Sequence, residues 1–135
     1  MKRAGSIPSS IYGALMLKPK KSEFVFEANL DDFEELVIKA SNDQVILVDF
    51  WADWCAPCHG LTPHLTRAID DLAGKVILGK VEVDEGENMK LAGRYKLRGF
   101  PTVILFHNGE EQARFTGIKP THWIHEWVLE QGEIS

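Results

Sequence analysis

The run Val45-Ile46-Leu47-Val48-Asp49-Phe50 constrains this chain more than any other segment. A strand with one wet face alternates apolar and polar side chains. A near-continuous aliphatic run instead reads as a strand covered on both faces. At 135 residues the chain suits one domain with one core, so the covering layers must come from the segments on either side of that strand.

Those segments have helical periodicity. Before the strand, Leu30, Phe33, Val37 and Ala40 recur at helical spacing, with Asn29 placed as N-cap and Asp32 at N3. After it, Leu61, Leu65, Ile69 and Leu72 form one apolar stripe that ends near Gly74. Phe24-Val25-Phe26 reads as a short first strand and Val76 to Val83 as a third. A shorter helix is expected over 87–95, and a last one from Pro120-Thr121 that stacks Trp123, Ile124, Trp127 and Val128. Between them, strands 102–106 and 112–115 flank Asn108-Gly109, a strong hairpin signal. The order βαβαβαββα predicts a single α/β domain. Its sheet is parallel where helices cross over and antiparallel at the hairpin edge.

Charge divides the chain unevenly. Of fifteen Lys and Arg, five (Lys2, Arg3, Lys18, Lys20, Lys21) fall before Ser22 with no acid among them. The other ten face twenty Asp and Glu, which gives the remainder a net charge of −10. An acidic body argues against nucleic acid as the main partner. No apolar run has the length of a membrane span. The expected organisation is a flexible basic extension over 1–21 and a folded domain over 22–135. The extension lacks the long apolar region of a secretory signal, while its basic, acid-free composition also fits an organellar transit peptide.

The only two cysteines, Cys55 and Cys58, lie three apart where the buried strand gives way to a helix. They are too close to staple distant segments. The histidines at 59, 64, 107, 122 and 125 show no metal-ligand spacing relative to the pair, so no metal is expected. What remains is reversible sulfur chemistry. A free thiol with pKa about 8.5 is only ~3% thiolate at neutral pH. Lowering it to about 7 requires about 2 kcal/mol. A helix N-terminus supplies ~0.3–1 kcal/mol of this. The rest is expected from hydrogen bonds to the Cys55 sulfur. Pro57 fits the first helical turn, where a missing N–H costs nothing. Cys55 is then the exposed nucleophile and Cys58 the more buried, resolving thiol.

Asp49 interrupts the apolar strand on the face of Val45 and Leu47, and Lys80 interrupts the third strand in the same way. The plain reading puts both in water at strand ends or in a simple ion pair. The functional alternative is a buried acid of raised pKa that takes and returns the Cys58 proton.

Together, the stretch Val48 to Cys58, Pro63, Lys80 to Asp84, Gly99-Phe100-Pro101-Thr102 and Phe106 to Gly109 resemble the thioredoxin family over residues 22–132, in the family's order and spacing. The resemblance implies the thioredoxin fold, a central mixed sheet flanked by helices. It implies Cys55 as attacking and Cys58 as resolving cysteine, Asp49 as the buried acid and Lys80 as its neighbour. Pro101 takes the place of the cis-proline whose preceding backbone pairs with substrate. Trp54, with Ala56 and Pro57, lies on the substrate face. Trp51 packs behind it, and Pro63 is structural.

Three residues depart from the family pattern. Ala56 stands where Gly is commonest, His59 replaces the usual basic residue, and Phe100 is bulkier than the usual aliphatic residue before the proline. The expected activity is reduction of protein disulfides by the Cys55/Cys58 dithiol, with no bound cofactor. A thioredoxin reductase is the expected electron source, and the protein is expected to be a cytoplasmic monomer. Two alternatives are a specialised reductase or oxidase with one partner outside the cytoplasm, and a binding module or co-chaperone without turnover.

Overall fold

The computed structural model describes residues 23–135; the expected basic extension lies outside the described residues. The elements are β1 (Val25–Glu27), β2 (Val45–Trp51), α1 (Ala56–Asp71), β3 (Val76–Glu82), α2 (Met89–Arg94), β4 (Thr102–His107), β5 (Glu110–Thr116) and α3 (Thr121–Gln131). Between β1 and β2 runs a wide π-helical segment, Glu34–Lys39, that tightens into a 3-10 turn at Ala40–Asn42. The sheet order is β1-β3-β2-β4-β5. β1, β3 and β2 pair in parallel, while β4 and β5 run antiparallel. This is the single-domain α/β architecture that the alternating pattern implied.

β2 lies at the centre and is buried along Val45 to Phe50, as its composition requires. Alternation sends Ile46, Val48 and Phe50 into a core with Phe33, Val37 and Phe106. Val45 and Leu47 enter a second core with Leu61, Leu65 and Ile69 of α1 and Ile124 and Val128 of α3. Asp49 shares the parity of that second face.

The first helical segment departs from expectation at its start. The Asn29 side chain does not cap it; its Oδ1 accepts a hydrogen bond from Asn88 Nδ2 at 2.9 Å. Asp32 Oδ1 instead accepts the Asn29 backbone N–H at 2.7 Å. Phe33 and Val37 are both fully buried, so tertiary packing, not ideal winding, holds this segment. Shorter differences appear elsewhere. β1 starts one residue later than read, β3 ends at Glu82, α2 covers only Met89–Arg94, and β5 reaches back to Glu110.

At the hairpin, Asn108 and Gly109 have φ of 56° and 81°, the left-handed pair that a tight type I′ turn needs. Ser41, fully buried, secures this turn from the 3-10 segment. Its carbonyl accepts from Asn108 N and its Oγ from Gly109 N, both at 2.8 Å. No described helix is long and apolar enough to cross a membrane.

Candidate active site

β2 ends at Trp51, and the chain turns into α1 through Asp53 and Trp54. Cys55 is the N-cap of α1, in extended conformation, and its Sγ accepts the Cys58 backbone N–H at 3.2 Å. The sulfur thus occupies the place of a capping oxygen, where a helix N-terminus stabilises negative charge. Cys55 and Cys58 are joined as a disulfide with Cα atoms 5.3 Å apart. Pro57 lies in the first turn of α1, and it and Ala56 face solvent. Cys55 is 4% exposed and Cys58 1%. The difference has the expected sign, yet Cys55 is buried where an exposed thiol was expected; the neighbouring rings are Trp54, adjacent in the chain, and Phe100, whose carbonyl lies against the sulfur.

Those rings come from two directions. Trp54 is 67% exposed, and its indole meets the Phe100 ring edge-on with centroids 6.1 Å apart. The Phe100–Pro101 peptide is cis, which turns the Phe100 carbonyl to 3.5 Å from Cys55 Sγ. β4 begins directly after it, so the sheet fixes this loop against the helix that carries the disulfide. Trp54 Nε1 donates to Asp84 Oδ2 at 2.5 Å. Asp84 lies in the loop that leaves β3.

In β2, six residues before Cys55, Asp49 is 1% exposed, and neither carboxylate oxygen has a hydrogen-bond partner. Lys80 stands in register with it across β2 and β3, with Nζ 3.9 Å from Asp49 Oδ2. Burial raises the Asp49 carboxyl from 3.8 to about 6, and the Lys80 charge opposes that rise. The reading of Asp49 at a wet strand end is therefore excluded. Lys80 Nζ also lies 5.0 Å over the Trp51 ring. The other side of this group holds His59, edge-on to Trp51 at 6.0 Å and within 2.8 Å of the Asp53 carbonyl. Lys80, Trp51, Glu27 and Glu82 border an open cleft of about 460 Å³, which brings solvent to the lysine.

Pro63 is exposed within α1, away from the sulfurs. Lacking an N–H, it takes the i+4 donor from the His59 carbonyl. One residue earlier, Thr62 Oγ1 donates to the Cys58 carbonyl at 3.1 Å.

Sequence reasoning singled out neither Asp84 as the partner of Trp54 nor Asn88 as a buried cross-link. Asp84 belongs to the stretch that carried the resemblance, but pairing across thirty positions has no local signature. Among the described residues, no group of three or more His, Cys, Asp or Glu is arranged to hold a metal.

A capped, helix-borne disulfide beside a cis-proline, on a mixed sheet, defines a thiol–disulfide oxidoreductase that works by dithiol exchange. The family model for thioredoxin matches residues 24–130. The chain is 42% identical to a thioredoxin of Rickettsia bellii (strain RML369-C), over 71% of this chain and 88% of that one. It is 37% identical to a thioredoxin of Chlorobaculum thiosulfatiphilum, over 78% of this chain and 94% of the relative. A thioredoxin of Rhodospirillum rubrum is 38% identical over 71% and 88%. The chain belongs to the thioredoxin family and is a thioredoxin-type protein-disulfide oxidoreductase. A binding module without turnover is not favoured, because both cysteines and the cis-proline are in place.

Proposed function

We propose that the protein reduces disulfides of other proteins in the cytoplasm, as a monomer recharged by a thioredoxin reductase. In this reading residues 22–135 are the catalytic domain and residues 1–21 a basic appendage to it. The observation that carries the reading is the 3.2 Å hydrogen bond from Cys58 N to Cys55 Sγ, which favours the Cys55 thiolate as attacker.

Reduced Cys55 attacks one sulfur of the substrate disulfide. The substrate S–S bond breaks, its leaving thiolate takes a proton, and a Cys55–substrate disulfide forms. Asp49 accepts the Cys58 proton, and the Cys58 thiolate attacks Cys55 Sγ. That step breaks the mixed disulfide and closes the Cys55–Cys58 bond. The second substrate thiolate takes up a proton. Two electrons have passed to the substrate, which leaves as a dithiol.

Trp54, Ala56, Pro57, Phe100 and Pro101 receive the substrate chain, with the Phe100 carbonyl beside Cys55 as a backbone acceptor for an extended peptide. Phe100 and Trp54 narrow that face with their edge-on contact. Lys80 holds the Asp49 carboxyl from rising further. Trp51 supports this arrangement from behind, through its contacts with Lys80 and His59, while Pro63 is a structural residue of α1.

Turnover of insulin disulfides, coupled to a thioredoxin reductase, tests the activity. Cys58→Ser should accumulate a covalent Cys55 adduct with substrate, and Cys55→Ser should abolish turnover. An active wild type whose Cys58→Ser variant traps nothing overturns the assigned roles of the two thiols.

A further inference from the structure

Asn88 precedes the first residue of α2, the position where an asparagine side chain ordinarily caps a helix, yet it makes no cap bond. Its amide turns inward instead and is 1% exposed. Nδ2 donates to the Glu82 carbonyl and to Asn29 Oδ1, each at 2.9 Å. Oδ1 accepts the Leu30 N–H at 2.7 Å. One buried side chain thus ties the end of β3 to the loop that leaves β1, across almost sixty positions of sequence. A buried amide with its bonds made fixes the groups around it, because each broken bond would leave a buried polar atom unpaired.

The segment closed by this cross-link is Val83 to Glu87. Glu85 N bonds the Glu82 carbonyl at 3.1 Å and Asn88 N bonds the Glu85 carbonyl at 3.0 Å, so the loop is a pair of tight turns. Asp84 projects from it to the Trp54 indole. Trp54 is two-thirds exposed, so packing holds little of it. Its orientation depends on the Asp84 bond and on the edge of Phe100.

We infer that Asn88 is a positioning residue for disulfide exchange: by fixing the loop after β3 it sets Asp84, and Asp84 sets the Trp54 indole beside the Cys55 groove. The inference rests on the placement of Trp54 in the substrate face proposed above. A role confined to stability would lower the melting temperature and leave the kinetics of the folded protein alone. Positioning predicts a change in KM for a protein substrate.

The experiment measures insulin reduction by wild type, Asn88→Ala, Asp84→Ala, Asp84→Asn, Trp54→Ala and the Asn88→Ala/Trp54→Ala double variant, together with ¹⁵N relaxation of the Trp54 indole. Asn88→Ala should raise KM about fivefold, the weight of one ordinary hydrogen bond, while kcat falls less than twofold. Its Trp54 indole order parameter should drop from the rigid range near 0.85 toward 0.6. Asp84→Ala should reproduce both effects, and Asp84→Asn, which keeps an acceptor oxygen, should restore most of the wild-type KM. In the double variant the Asn88 change should add nothing to the Trp54 change. An unmoved KM and indole in folded Asn88→Ala, or additive effects in the double variant, overturns the inference. Should Asn88→Ala fail to fold, Asp84→Ala decides alone: a wild-type KM and indole there overturns it equally. A wild type that does not reduce insulin, or a Cys55→Ser variant that does, refutes the proposed function itself and is read separately.

Discussion

Asp49 and Lys80 stand opposite each other in register across β2 and β3, yet Lys80 Nζ stops 3.9 Å short of the carboxylate. Neither Asp49 oxygen gains a hydrogen bond from it or from any other described group. The lysine is in reach to moderate the acid but not to compensate its burial. It keeps partial contact with solvent, with 22% of its side chain exposed, against 1% for Asp49. A fully paired carboxylate would be held ionised and would be useless as a proton acceptor near neutral pH. A carboxylate with no cation nearby would stay protonated. The observed spacing leaves Asp49 at about 6, between those limits.

This arrangement makes stability depend on pH in a defined sense. The folded Asp49 holds its proton more tightly than the unfolded one, with a pKa of about 6 against 3.8. Its contribution is therefore fully favourable below pH 4 and is lost as pH rises through 6, an amount of about 3 kcal/mol. Urea unfolding of the oxidised protein from pH 4 to 8 should show that decline, and Asp49→Ala should remove it and be the more stable form at pH 8. Equal slopes for the two proteins would assign the dependence to other groups.

Lys80→Met takes away the charge that opposes the rise. The Asp49 carboxyl should then titrate above its present value of about 6, which ¹³C NMR of the side chain reads directly. Resolution of the Cys58-dependent mixed disulfide should shift its pH profile in the same direction. A downward displacement, or none, would show that Lys80 does not act on Asp49 through its charge.

Gly79 is required by packing against β1. A Cβ there would lie 2.7 Å from the Phe26 ring, its cross-strand partner, with further ring atoms at 3.0 and 3.3 Å. Gly79→Ala should destabilise the protein by roughly 1–3 kcal/mol, the usual range for overpacking. Shortening Phe26 to Leu should recover part of that loss in the double variant. Thermal unfolding of the four proteins in this cycle measures both effects, and strict additivity would refute the contact as the cause.

Ser41→Ala should leave the half-buried Gly109 N–H without its side-chain acceptor. The expected loss is about 0.5–1.5 kcal/mol. Amide exchange should rise first at Gly109 and its neighbours on the β4–β5 turn. If exchange accelerates elsewhere and not at the turn, Ser41 serves the helical segment through its bond to the Ile38 carbonyl instead.

The elements with a strong repeating pattern were legible from the chain. The uninterrupted run of β2, the stripe of α1 and the Asn108-Gly109 turn all encode their conformation in neighbouring residues, so local rules reach them. So does the position of the dithiol, since a strand end followed by Pro57 places Cys55 at a helix start. The first helical segment was legible in position but not in form. Asn29 has the local chemistry of a cap, and a distant amide, Asn88, takes its side chain instead. Ends of elements moved by one or a few residues, and at the start of α2 the Asn88 side chain takes tertiary partners in place of a cap.

By itself, the sequence determined that a two-face-covered strand must lie inside an α/β sheet, and that two thiols spaced for one helical turn are able to close a disulfide. Both conclusions need only backbone periodicity and covalent spacing. Tertiary structure alone decided how far Lys80 stops from Asp49, how near the Phe100 carbonyl comes to Cys55, and that Asp84 holds Trp54. Each of these joins segments thirty to forty-five positions apart. Their distances are set by the register of β2 against β3 and β4 and by the loops these strands carry. A difference of about 1 Å there separates this loose ion pair from a hydrogen-bonded one, and no periodicity in the chain records it.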